Sequence, residues 1–234
     1  DWQGSLDALQ ALCPNLTSVA LVVSWFGDDL RAGHCTIAPR VDNALKNVNI
    51  FTAELATKRL GLLNEIAPGP SAIAILVNPN FPPSADITRE MQDAAPRIGR
   101  QLIVLKASTK GEIDAAFAML AERRAGAIIV GADPFFNSER EWLVSLAARA
   151  RIPAVYEQRE FATAGGLMSY GTNITDSYRE MGIYTGRILH GARPNDLPVL
   201  QLSRFELVLN LKTARSLGVA IPPGVLALAD EVIE

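Results

Sequence analysis

The sequence predicts an α/β fold built on a doubly wound parallel sheet, and three observations carry that prediction. Short apolar runs of strand length recur at residues 72–77, 101–105, 127–130 and 153–156, bounded by polar or turn-forming residues. Segments with apolar residues at helical spacing lie between them. The connections are short, as right-handed βαβ crossovers covering both faces of one sheet require.

Taken in order, residues 72–77 form the first strand of this series, and residues 84–98 have helical spacing. Ser84 is the N-cap, Asp86 lies in the first turn, and Pro96 ends or kinks the helix. Residues 101–105 are the second strand. Ser108 or Thr109 caps a helix over 112–123, where Ile113, Phe117 and Leu120 form an apolar stripe. Gly126 ends that helix and 127–130 is the third strand. Asn137 or Ser138 caps a helix running to Ala150, with Trp142, Leu143 and Leu146 on one face, and 153–156 is the fourth strand. The rhythm then changes. Residues 165–171 read as a short strand flanked by glycines, 176–189 as a helix closed by Gly191, and 205–210 as a half-buried strand. Residues 212–217 form a short helix ended by Gly218, and Pro222 and Pro223 precede a last apolar helical turn. The first 46 residues differ, with a helical pattern at 6–12, an apolar strand at 19–24, a turn at 25–29 and polar irregular chain at 33–40.

At 234 residues, 49% hydrophobic and 20% charged, the chain suits one large or two smaller domains with a sizeable core. A net charge of −3 lacks the basic footprint of a nucleic-acid binder, so no nucleic-acid partner is expected. The apolar runs are too short to span a bilayer, so no membrane insertion is expected. The chain begins at Asp1 without a visible signal peptide, which reads as a processed, trimmed or fragmentary end. Cys13 and Cys35 allow one disulfide or two free thiols. His34 and Cys35, near Asp28 and Asp29, supply too few ligands at workable spacing for a metal. Ser169 is not in a Gly-x-Ser-x-Gly elbow, and His190 reads as a charge near a helix end. No catalytic residue, metal or cofactor is expected, and the chain reads as a non-enzyme.

The carboxyl ends of parallel strands form the ligand crevice of an open sheet, so the residues that follow each apolar run are the site candidates. Asn78 and Asn80 offer amides to a ligand or form an ordinary Asn-Pro-Asn turn. Asp133 pairs with a ligand ammonium or caps the helix after it. Phe135 and Phe136 are pocket wall or core. Tyr156 ends the fourth strand. Arg159 grips a carboxylate in bidentate fashion, or makes a surface salt bridge with Glu157 or Glu160. Tyr170 faces the ligand or is a buried tyrosine.

Several stretches together resemble one family. They are Thr52-Ala53-Glu54-Leu55-Ala56-Thr57-Lys58-Arg59-Leu60, Leu76-Val77-Asn78-Pro79-Asn80 and Gly131-Ala132-Asp133-Pro134-Phe135-Phe136. Gly165-Gly166-Leu167-Met168-Ser169-Tyr170-Gly171, Phe205-Glu206-Leu207-Val208-Leu209-Asn210-Leu211-Lys212-Thr213-Ala214 and Ala229-Asp230-Glu231-Val232-Ile233-Glu234 complete the set. From residue 47 to 234 the chain resembles the ABC transporter substrate-binding proteins with a periplasmic-binding-protein-like type I fold. That resemblance implies two α/β lobes closing on a small organic solute in an interlobe cleft, with an amino acid or related carboxylate as ligand. It also implies an ABC permease as partner, a periplasmic or extracytoplasmic location, and a hinge crossing at Tyr170. The match begins where such chains enter the second lobe. The first lobe is expected to be largely missing and binding to be impaired accordingly. Residues 1–46 resemble a stretch of the TIM-barrel-like tail protein of gene-transfer agents and phages, on Leu9-Gln10-Ala11-Leu12-Cys13-Pro14-Asn15-Leu16 and Ser24-Trp25-Phe26-Gly27-Asp28-Asp29-Leu30-Arg31-Ala32-Gly33-His34-Cys35. Residues 1–46 are therefore expected to form an atypical N-terminal segment, by fusion or artefact. Two other functions stay open: the ligand-sensing core of a transcription regulator of the same fold, and a fragment of a tail protein. The first needs a basic helix-turn-helix ahead of the core, and the second needs about seven more βα units.

Overall fold

The computed structural model describes residues 44–69, 72–173 and 205–234, together with 26–27, 37–38 and scattered positions between 175 and 190. The chain divides into two units, residues 1–48 with 175–201, and residues 49–174 with 202–234. In the first, Phe26–Gly27 (β1) pairs antiparallel with Ile37–Ala38 (β2). This short ladder takes the place of the turn expected at 25–29 and of part of the irregular chain expected at 33–40, since Phe and Ile favour extended backbone. The described positions between 175 and 187 are helical, consistent with the helix expected over 176–189. The expected helix at 6–12 and strand at 19–24, with Cys13, His34 and Cys35, lie outside the described residues.

Helix α1 (Ala44–Ile66) leads into the second unit. There follow β3 (Ala72–Val77), α2 (Ser84–Ala94), β4 (Leu102–Lys106), α3 (Lys110–Glu122) and β5 (Ala125–Val130). Next come α4 (Pro134–Ser138), α5 (Arg140–Arg149), β6 (Ala154–Tyr156), α6 (Arg159–Thr163) and β7 (Met168–Thr172). The unit closes with β8 (Phe205–Asn210), α7 (Leu211–Leu217), α8 (Pro223–Ala227) and β9 (Glu231–Ile233). The seven strands lie in the order β4-β3-β5-β6-β7-β8-β9. The pairings from β4 through β7 are all parallel, as expected for the four apolar runs. The sheet is nevertheless mixed, because β8 runs antiparallel to β7, and β9 parallel to β8. The chain leaves the unit after β7 and returns at β8, so no crossover within the unit forces β8 into the common direction. The short β9, with Glu at its start, carries no apolar run to announce it.

The central strands are buried on both faces, and their period of two divides the core. Ile73, Ile75 and Val77 of β3, with Ala127, Ile129 and Val155, face one cluster, which α1, α2, α7 and α8 complete through Leu60, Leu63, Met91, Ala214 and Val225. Ala74 and Leu76, with Ile128, Val130 and Tyr156, face the other, completed by Ile113 and Phe117 of α3, Leu143 of α5 and Phe161 of α6.

Several helix ends differ from expectation. Ser84 is not a cap: Pro83 holds that position, and the Ser84 hydroxyl donates to the Asn78 carbonyl at 2.6 Å. The α-helix gives way at Ala95 to a 3-10 turn over Ala95–Ile98, as Pro96 demands, and left-handed Gly99 ends it. Thr109 does cap α3, in a capping box with Glu112. Neither Asn137 nor Ser138 is a cap. Asp133 starts α4 instead, and the Ser138 hydroxyl donates back to the Phe135 carbonyl at 2.7 Å.

The end of α1 is closed from a distance. Arg100, 6% exposed, donates to the carbonyls of Ala67 and Gly69 and, at 2.7 Å, to Asn64 Oδ1. A cation here satisfies carbonyls that the helix leaves without partners and complements its negative end. Arg100→Ala is expected to cost about 3 kcal/mol, seen as a fall in Tm of roughly 6–12 °C in a calorimetric scan. A second expectation concerns Glu112. The Ser108 backbone N–H and hydroxyl, then those of Thr109, hold its carboxyl below the usual carboxylate range. A depressed folded value gives stability that is present at neutral pH and lost as pH falls through it. Glu112→Ala is therefore expected to lower Tm at pH 7, with the gap to the parent closing in acid below about pH 4.

Candidate functional site at the carboxyl edge of the sheet

Strand order locates the site. From β3 the chain moves outward to β4, then crosses back over β3 to β5 and continues away through β6 and β7. The order reverses between β3 and β5, the place where open α/β sheets carry their ligand crevice beyond the carboxyl ends of the strands.

Asn78 and Asp133 stand on either side of that reversal and are joined, the Asn78 amide donating to Asp133 Oδ2 at 3.1 Å. The other Asp133 oxygen accepts from the N–H groups of Phe135 (2.8 Å) and Phe136 (3.2 Å), capping α4. Asn78 Oδ1 accepts from the Asn80 N–H at 3.0 Å, an Asx-turn that leaves Asn80 itself exposed. Gly131 permits the close approach of the two strands. Its N–H donates to the Leu76 carbonyl at 2.9 Å, and a Cβ would sit 2.9 Å from the same oxygen. Asp133 is 4% exposed and Asn78 half-buried.

The other candidates are placed differently. Phe135 is half-buried beside fully buried Phe136, ring centroids 5.6 Å apart. Tyr156 falls on the even side of the pleat, so its ring goes into the core and stacks on Phe161 at 4.5 Å. It is not bonded to the Asn78–Asp133 pair, its hydroxyl has no hydrogen-bond partner, and burial pushes its phenol well above the ordinary value. Arg159 pairs with neither Glu157 nor Glu160. It reaches Glu231 of β9 at 2.5 Å and Glu206 of β8 at 3.6 Å, tying α6 to the antiparallel end of the sheet. Tyr170 is half-buried against Phe205, at 6.3 Å between centroids.

One residue at this edge escaped the sequence reading, and another, Glu157, entered it only as a candidate partner of Arg159. Arg59 lies on the face of α1 that buries Ala56, Leu60 and Leu63, and is only 1% exposed. Its guanidinium approaches Glu157, the residue after β6, at 3.7 Å. Its Nε and Nη2 have no hydrogen-bond partner. Burial pulls it below its ordinary value, opposed by the neighbouring Glu157 and Tyr170. An arginine within an apolar stripe was the available signal. Gly171 of β7 fixes the height of Glu157, because a Cβ there would lie 2.1 Å from the Glu157 carbonyl oxygen. Among the described residues there is no cluster of His, Cys, Asp and Glu able to hold a metal, and no helix long and apolar enough to cross a membrane.

The family model described as ABC transporter substrate binding protein matches residues 35–233. The chain belongs to this family. The match takes in residues 35–46 as well as the stretch from residue 47 onward. An ABC domain in complex with L-Trp from Streptococcus pneumonia superposes with a TM-score of 0.69 at 26% identity, over 76% of this chain and 60% of that one. A conserved domain protein from Vibrio cholerae superposes at 0.68 and 24% identity, over 76% of this chain and 60% of the other. The ligand-free, open structure of a substrate binding protein with adhesive properties from Clostridium difficile gives 0.56 at 22% identity, over 75% and 59%. The chain thus spans about three-fifths of the length of these solved relatives. No curated protein matches the chain.

Asp133→Ala removes the α4 cap and the partner of Asn78 together. It is expected to cost about 1–2 kcal/mol, a fall in Tm of roughly 2–8 °C, whereas Asp133→Asn, which keeps a capping oxygen, loses less in the same melt.

Proposed function

We propose that the chain is the solute-binding component of an ABC importer and takes a small organic solute, an amino acid or related carboxylate, at the carboxyl edge of its sheet. The observation that carries the reading is the Asn78–Asp133 bridge across the point where strand order reverses. Family membership supports it, since members of this family bind small molecules and work with ABC permeases outside the cytoplasm. A relative crystallised with L-Trp supports an amino acid as ligand. The role is binding without catalysis. The ligand-contacting set drawn from the candidates is Asn78, Asn80, Phe135 and Tyr170. Asp133 holds Asn78 in place. Tyr156 and Arg159 act in the core and in the β8–β9 attachment.

The test is a thermal-shift panel of amino acids and small carboxylates, L-tryptophan included, run on the full chain. At a concentration about ten times a millimolar Kd, linkage adds ~1.4 kcal/mol, a rise in Tm of roughly 3–6 °C. At least one solute is expected to give that rise in the parent and a smaller one in Asn78→Ala. A flat response to the whole panel would remove the solute-binding reading.

A further inference from the structure

Most of the charged side chains along the carboxyl edge are already engaged. Asp133 holds two backbone N–H groups and the Asn78 amide. Glu206 accepts from the Asn173 amide at 3.1 Å and faces Arg159, and Arg159 also binds Glu231. Glu157 is different. It stands one strand along from Asp133 and its side chain is 23% exposed. Among the described residues it accepts no hydrogen bond, and its one ionic neighbour, Arg59, lies at 3.7 Å, too far for a hydrogen bond.

Arg59 is a second and independent oddity. A guanidinium buried to 1% exposure, with Nε and Nη2 lacking partners, carries a large desolvation cost. Helix α1 holds it in an apolar face and brings it to Glu157. Such a cation faces the carboxylate at a distance that leaves its hydrogen-bonding capacity unused. The Glu157 backbone packs closely against Gly171, where no side chain fits. The result is an accessible carboxylate with one ionic neighbour and no hydrogen-bond donor among the described residues, one strand along from the Asn78–Asp133 bridge.

We propose that Glu157 is the ligand-contacting carboxylate of this edge, that it receives a protonated amine of the solute, and that Arg59 beneath it is its positioning residue. The inference rests on the solute-binding reading above and narrows the ligand to an amine-bearing class. A carboxylate facing a ligand ammonium makes a charge-assisted hydrogen bond, the strong kind. A site built for it rejects the analogue lacking the amine, because the buried arrangement is then left unpaired.

The test uses calorimetric titration of the full chain with each solute that stabilises it in the panel and with its des-amino counterpart, for L-tryptophan 3-indolepropionate. The amine-bearing solute is expected to bind at least about tenfold more tightly. Glu157→Gln is expected to remove that preference and also to lower the Tm of the free protein, because buried Arg59 is left without its carboxylate, so the ratio of the two affinities is the deciding readout. Arg59→Met is expected to weaken the amine-bearing solute without lowering Tm, since an apolar side chain suits the buried position. Arg59→Lys is expected to restore part of the affinity. A lower Tm with unchanged affinity in both Arg59 variants would make that residue structural only. Equal affinity for the two solutes, or an unchanged preference in Glu157→Gln, would overturn the inference while leaving solute binding intact. A flat panel would overturn the solute-binding reading and this inference with it.

Discussion

The pleat of a sheet buried on both faces is the constraint from which the rest of the second unit follows. Successive residues of a strand point to opposite sides. In β3, β5 and β6 both sides are apolar, so both need cover: α1, α2, α7 and α8 on one face, α3, α5 and α6 on the other. The same parity decides what stands at the carboxyl edge. Tyr156 is the last residue of β6 and falls on the even side, so it is core. Glu157, one residue later, is free of the strand and meets Arg59 arriving with α1. A one-residue slip in β6 would exchange the two.

The edge shows how strongly burial redistributes roles among polar residues. Asp133 is nearly inaccessible yet costs little, because three donors satisfy its two oxygens. Arg100 is as deeply buried and is satisfied by carbonyls at the end of α1. Arg59 alone among these lacks such hydrogen bonds and has only a distant carboxylate. A buried cation so placed is weak support for stability, since well-packed apolar residues often do as well. Its place beside a partly exposed carboxylate is what the proposed binding role of Glu157 draws on.

Family membership and the geometry of the edge bear on different questions. The family match covers residues 35–233 and fixes the lineage of the chain, whereas the solved relatives extend well beyond the three-fifths of their length that it spans. The reversal of strand order between β3 and β5 is complete within residues 72–133. At its carboxyl edge lie a close strand contact that Gly131 permits and one side-chain bridge.

The sequence by itself determined the strand–helix alternation of residues 72–156, the capping box at Thr109, the left-handed stop at Gly218 and the edge on which Asn78 and Asp133 lie. These are local signals: apolar period, cap chemistry and turn residues act within a few positions of one another. Only the tertiary structure decided the direction of β8, the existence of β9, the choice of Asp133 over Asn137 as a cap, and the partners of Arg159. It also decided that Arg59 and Glu157, 98 positions apart by their numbering, would meet. Each depends on residues distant in the chain. Pairing at long range is set by which faces must be buried together, and a local pattern of polar and apolar residues holds no record of its partner.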